Sequence, residues 1–283
     1  YAIGQIILLI DKKFYANNID FVMHLVNISF SSLSILGLYL IVKKIFNNNI
    51  AILASLITLL NPFFFGHMGM NSKDIIIFFS LIWFCYFFYL YCVEDEKTTK
   101  NLLLASFFIG FGCGVRLTFP VVIFPVIICG LIFLFNKYKS NYGPLVKRLL
   151  WHSVITITIT IFLIILCWPH MIEEIQRGNF LDFFSLIVKN TINWNDGPKT
   201  GFVNGEYYEV FNTPKTYFLD VITYRLPFYF TLLIIFTYLL FLTKNLLAQS
   251  QIKYFNQKFL LINILGFFPI ILALILGVNI YDN

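Results

Sequence analysis

Charge is scarce in this sequence. Only 12% of its 283 residues are Asp, Glu, Lys or Arg, about half the share of an ordinary soluble domain. A chain so poor in charge cannot clothe a large water-facing surface, which excludes a soluble globular protein. Paired cysteines are absent as well. Cys85, Cys92, Cys113, Cys129 and Cys167 are scattered through apolar segments without a C-x-x-C pair, which argues against a disulfide framework or a zinc site. No basic patch suits a nucleic acid, so none is expected as a partner. The chain opens on Tyr1 with no signal peptide and stops in Tyr281-Asp282-Asn283 at the end of an apolar run. It therefore reads as an internal fragment of a longer protein, lacking both ends.

What is present is apolar. Fully 59% of the residues are hydrophobic, 34 are Phe, and the mean hydropathy is +0.81. These values point to a polytopic membrane protein rather than to a large soluble core. The expected fold is all-α: a transmembrane helical bundle forming one membrane domain over 1–283. Runs long enough to span a bilayer occur at about 19–42, 50–68, 75–93, 152–169, 228–243 and 259–280. The region 101–135 is too long for one span, and GFGCGVRLTFP (110–120) breaks it into 101–115 and 118–135. That makes eight apolar helices, with a kink expected at Asn61-Pro62.

The connections at 43–49, 94–100, 136–148 and 244–258 hold eleven Lys and Arg, against two in 71–73 and 114–117. The positive-inside rule places the first set in the cytoplasm. The 66–74 turn, the Arg116 break and a long loop at 170–227 then share the outer face. Within that loop, Ile175, Phe180, Phe183, Phe184, Ile187 and Val188 recur at helical spacing and predict an interfacial helix over 171–191. Turn signals follow at Asp196-Gly197-Pro198 and Asn204-Gly205. Trp194, Tyr207, Tyr208 and Tyr217 suit an aromatic belt at the headgroup level.

The stretch GHMGMNSKDIIIFFS (66–80) sets His67, Lys73 and Asp74 between long apolar runs. Charge in such a place is costly unless it lies at the membrane surface or has a function. Asn71 is a good N-cap, with Asp74 three residues on, so Asp74 can simply complement the helix dipole. Arg116 at a Gly-rich break among membrane helices is the strongest candidate for a functional cation, with snorkelling to the interface as its plainer role. Lys73 is a second cation that solvent can satisfy. His67 either meets a substrate or caps its helix. His24 suits packing or a local hydrogen bond. His170 fits the outer interface, and Glu173, Glu174 and Asp182 fit the wet face of the interfacial helix. Arg225, just before a helix, is placed to meet headgroups or a lipid-linked substrate. The role of Asp282 at the terminus is open.

The ordered set of motifs resembles bacterial polyprenyl-phosphate-dependent glycosyltransferases of the GT-C class. These are related to the protein O-mannosyltransferases of glycosyltransferase family 39 and to the lipid A aminoarabinose transferases. In that family a His, a few small or apolar residues and Asn-x-Lys-Asp precede an apolar helix, as do His67, Asn71, Lys73 and Asp74 here. YAIG (1–4), MHLVNISF (23–30), GVRLTFPVVIFP (114–125), WPHM (168–171), VNGEYYEVFNTPKTYF (203–218), YRLPFYF (224–230) and the terminal YDN are similar to its further landmarks, although Met23 replaces the usual Arg.

The resemblance implies inverting transfer of a sugar from a polyprenyl-phosphate donor to an acceptor protein or glycolipid. It places the active face on the periplasmic side of a bacterial inner membrane. It makes Arg116 and Lys73 donor-phosphate ligands and Asp74 a secondary acidic position. His67, Asn71, His24 and Arg225 become further substrate-site candidates. The main catalytic Asp would lie before Tyr1, leaving this stretch inactive alone. No ligand set for a metal is evident, and a divalent cation stays open as a cofactor. The rival class is a transporter or lipid-linked-glycan flippase, suggested by the broken helix pair and the intramembrane Arg. A non-catalytic scaffold is the third.

Overall fold

The computed structural model describes residues 12–168 apart from 96, 140 and 141. It also describes isolated positions between 173 and 185, the segments 200–203 and 206–209, and isolated positions between 228 and 239. The chain falls into two compact units, Tyr1–Thr191 and Ile192–Asn283.

The first unit is a helical bundle: α1 (Lys12–Ile45), α2 (Asn48–Leu59), α3 (Pro62–Met70), α4 (Ser72–Val93), α5 (Thr98–Val115), α6 (Phe119–Lys137) and α7 (Tyr142–Cys167). Among the described residues, five of these are long and apolar enough to cross a membrane, or six spans with α2 and α3 taken together. The run expected as one span at 50–68 is two helices bent by 66°. The bend sits at Asn61-Pro62. Pro62 has no N–H to continue the α2 ladder and occupies the first turn of α3, where none is needed. Asn61 caps that turn, accepting from the Phe63 N–H at 2.9 Å. The basic stretch 136–148, expected as a loop, is largely helical, since α6 continues to Lys137 and α7 begins at Tyr142. Most of the expected spans at 228–243 and 259–280 lies outside the described residues.

Helix association inside a bilayer relies on close packing rather than on expulsion of water, and the glycines of α5 supply it. A methyl on Gly110 would meet Leu163 at 2.7 Å, and one on Gly114 would meet Cys167 at 2.7 Å. Gly110 and Gly114, four residues apart, thus lay α5 against α7. Gly112 faces the buried ring of Phe119, which would lie 2.6 Å from a methyl there. The helix ends after Val115, where the break was expected, and the three glycines before it are also contact points. Phe79, Phe84, Phe108, Phe119 and Ile123 form the core between α4, α5 and α6.

The two ends of the bundle differ. At one, Lys44 meets Glu94 at 3.4 Å, Lys137 meets Asp95 at 2.9 Å, and the Tyr138 hydroxyl donates to Asp95 at 2.7 Å. These residues come from the Lys/Arg-rich connections. The turns at 70–72 and 116–118 lie at the other end, with Trp168.

The expected helix over 171–191 is interrupted. Gly178 takes φ 76°, a left-handed conformation that ends a helical turn at low steric cost, and residues 177–179 are not helical. Glu173 and Asp182, on either side, are exposed.

In the second unit, β1 (Thr200–Val203) pairs antiparallel with β2 (Glu206–Glu209), and Val203 stands opposite Glu206. The two residues between them are Asn204-Gly205, the dipeptide that best suits a tight hairpin. This hairpin is the one departure from an all-helical fold among the described residues.

Candidate functional site

The site is built from four chain segments at the end of the bundle away from the Lys/Arg-rich connections. The α3–α4 turn supplies the first. Asn71 leaves the helical region with φ −107° and ψ 89°, and its Oδ1 accepts the Asp74 N–H at 3.1 Å. The Asn71 amide Nδ2 donates to Asp74 Oδ2 at 2.7 Å. The expected cap is therefore present, closed side chain to side chain. It leaves Asp74 Oδ1 for another partner, and that partner is Arg116, whose Nη2 lies 3.3 Å away.

Arg116 owes its place to the end of α5. It adopts extended backbone, φ −142° and ψ 123°, directly after the last helical residue. Its N–H still donates to Gly112 O at 2.9 Å, and its carbonyl accepts the Phe119 N–H at 3.0 Å. The guanidinium is thereby projected from a short, tied turn between α5 and α6. The Arg116 and Asp74 side chains are 52% and 48% exposed. A pair that open to solvent is worth about 0.2–1 kcal/mol, so an anionic ligand could replace Asp74 at small cost. Lys73 is exposed beside them and makes no ion pair among the described residues.

The third segment is α1. His24 donates from Nδ1 to the Gly69 carbonyl at 2.6 Å, and Asn27 donates from Nδ2 to the same carbonyl at 3.2 Å. Gly69 lies in the last turn of α3, where carbonyls lack helical partners. The two side chains cap α3 from outside and hold the turn that carries Asn71 and Asp74. His24, a substrate-site candidate from the sequence, is thus engaged in a structural bond. Asn27, not singled out from the sequence, is buried and shares the task. His67 packs its ring against Phe63, centroid to centroid 4.3 Å, and caps nothing among the described residues.

The fourth is Trp168. Its indole N–H donates to the Gly114 carbonyl at 2.6 Å. The motif WPHM marked its neighbourhood, but no spacing argument could identify this bond.

Asn71, Lys73, Asp74 and Arg116 therefore share one end of the bundle, with His24 and His67 close in the chain or hydrogen-bonded to the same turn. Arg225, His170, Glu174 and Asp282 lie outside the described residues. Among the described residues no group of three or more His, Cys, Asp or Glu stands together to hold a metal ion. Two cations and a carboxylate at the mouth of a helical bundle can bind an anionic headgroup and orient a hydroxyl beside it.

No curated protein and no solved structure matches the chain. A family model does, that of the dolichyl-phosphate-mannose-protein mannosyltransferases, over residues 12–168. The match runs from the start of α1 to Trp168 and takes in all four segments of the site. Covering more than half of the 283 residues, it makes this chain a member of the dolichyl-phosphate-mannose-protein mannosyltransferase family, the membrane glycosyltransferases of GT-C type.

Proposed function

We propose that the chain transfers a sugar, in the mannosyl class, from a polyprenyl-phosphate donor to a hydroxyl acceptor on a protein or glycolipid at the outer face of a bacterial inner membrane. The Asp74–Arg116 pair beside Lys73, at the end opposite the Lys/Arg-rich connections, is the observation that carries this reading.

Arg116 and Lys73 hold the donor phosphate. Arg116 offers a planar fork suited to phosphate oxygens, and Lys73 offers a point charge. Asp74 keeps the guanidinium turned toward the site until the phosphate takes its place. The acceptor oxygen attacks the anomeric carbon on the side opposite the phosphate. Its proton passes to a carboxylate base, and the bond from the anomeric carbon to the phosphate oxygen breaks. Polyprenyl phosphate leaves with that electron pair, and the sugar is inverted. The cations stabilise the growing charge on the phosphate. Asp74, released from Arg116, is the secondary acid that orients the acceptor.

The test uses the full chain encoded by the gene, reconstituted in lipid. Release of free polyprenyl phosphate is followed over a panel of polyprenyl-phosphate sugars for wild type, Arg116→Ala and Asp74→Ala. The expected result is one consumed donor class, with turnover falling by at least about a hundredfold in Arg116→Ala and clearly in Asp74→Ala. If no donor is consumed and the protein moves lipid across the bilayer, the flippase reading replaces this one.

A further inference from the structure

We propose that Trp168 is a positioning residue for Arg116, and so for the donor phosphate. The inference rests on the functional reading above.

The argument starts from the way α5 ends. In a continuing helix the Gly114 carbonyl would accept the N–H of residue 118. The helix stops at Val115 and Arg116 turns extended, so that carbonyl loses its partner. Trp168 restores one from α7 at 2.6 Å. The indole N–H is the only polar atom of a Trp side chain, and it can only donate. The approach is possible because residue 114 is glycine. A methyl there would lie 2.7 Å from Cys167 Sγ and 2.8 Å from Cys167 Cβ. Cys167 and Trp168 together thus clasp the final turn of α5, one by contact with Gly114 and the other by hydrogen bond. Trp168 is itself held, because its backbone N–H donates to Ile164 O at 3.0 Å.

Arg116 lies two residues beyond the clasped carbonyl. Its own backbone bonds, to Gly112 O and from Phe119 N, fix the turn locally but do not tie it to α7. The Trp168 indole supplies that tie. If it is lost, only the Gly114–Cys167 contact holds the last turn of α5 to α7, the Gly114 carbonyl is left without its partner, and the guanidinium meets the phosphate in a less fixed geometry. The effect on transfer then passes through Arg116 alone.

A double-mutant cycle on the full chain, reconstituted in lipid, tests this. Donor kcat/KM is measured for wild type, Trp168→Phe, Arg116→Lys and the double variant, with the KM for acceptor followed in parallel. Trp168→Phe keeps the ring and removes the donor. It should lower donor kcat/KM on the order of tenfold, leave acceptor KM unchanged, and add less than about twofold in the Arg116→Lys background. A merely structural Trp168 would depress both backgrounds equally, and that additivity overturns the proposal. So does unchanged donor kcat/KM in Trp168→Phe. Trp168→Tyr guards against misfolding: if both variants fail to give a monodisperse protein, the residue is structural and the proposal falls. Full turnover in Arg116→Ala would instead defeat the functional reading itself.

Discussion

Asn71 and Asp95 are the residues whose side chains tie most directly to local stability at the two ends of the bundle. Asn71 satisfies one helical N–H of α4 and one carboxylate oxygen of Asp74. Asn71→Ala should lower stability by about 0.5–2 kcal/mol, read as a reduced melting temperature in detergent, while Asn71→Ser keeps a cap acceptor without setting a second carboxylate against Asp74 and recovers part of the loss. An unchanged melting temperature in Asn71→Ala would show that the cap carries no weight. At the opposite end, the Tyr138 hydroxyl and then Lys137 hold the Asp95 carboxyl below its ordinary value of 3.8. A lowered value means that the folded state favours the carboxylate. Its contribution is present above 3.8 and is lost as the pH falls through the lowered folded value. The melting-temperature gap between wild type and Asp95→Asn should therefore be open at neutral pH and close in acid. A gap that widens in acid would contradict the Tyr138 and Lys137 contacts.

At the scale of elements, α5 is the pivot. Its glycines set the distance to α7 and the seat of Phe119, and its C-terminal turn carries Arg116. Gly112→Val inserts three carbons where the Phe119 ring lies 2.6 Å from the first of them. It should destabilise the bundle by about 1–3 kcal/mol, and Phe119→Leu in the same chain should restore part of the loss. Thermal unfolding followed by size-exclusion fluorescence measures both. If the second substitution gives no recovery, the clash lies elsewhere. The bent pair α2–α3 brings its final turn under His24 and Asn27, so α1 and α3 meet through one carbonyl, that of Gly69.

For the molecule as a whole, the division of charge is the organising fact. Lys44–Glu94 and Lys137–Asp95 mark one end, and Asp74–Arg116 marks the other. Reporter fusions test the sidedness expected from the Lys and Arg count. Fusions after residues 46, 95 and 140 should report cytoplasmic, and those after 70 and 117 should report outer-face. The reverse pattern would put the candidate site on the cytoplasmic side and remove the proposed donor geometry.

Much of this was readable in the sequence, for reasons of local chemistry. Apolar runs of bilayer length mark helices because an unpaired backbone cannot remain in lipid. The Asn61-Pro62 bend and the Asn71 cap follow from which atoms those residues possess or lack, and the family's Asn-x-Lys-Asp pattern falls on the α3–α4 turn. Other features were not readable. The one-helix expectation over 171–191 missed the turn at Gly178, because apolar periodicity does not register a backbone reversal. The break after Val115 was readable, but the contacts of the glycines at 110, 112 and 114 with Leu163, Phe119 and Cys167 were not. A hydrogen bond at His24 was the plainer expectation, but its partner, the Gly69 carbonyl on another helix, was not readable. Sequence alone determined the membrane class, the helical runs and the chemistry available at one turn, since these depend on neighbours along the chain. Tertiary structure decided that Asp74 meets Arg116 and that Trp168 caps Gly114, because both depend on how closely helices distant in sequence pack.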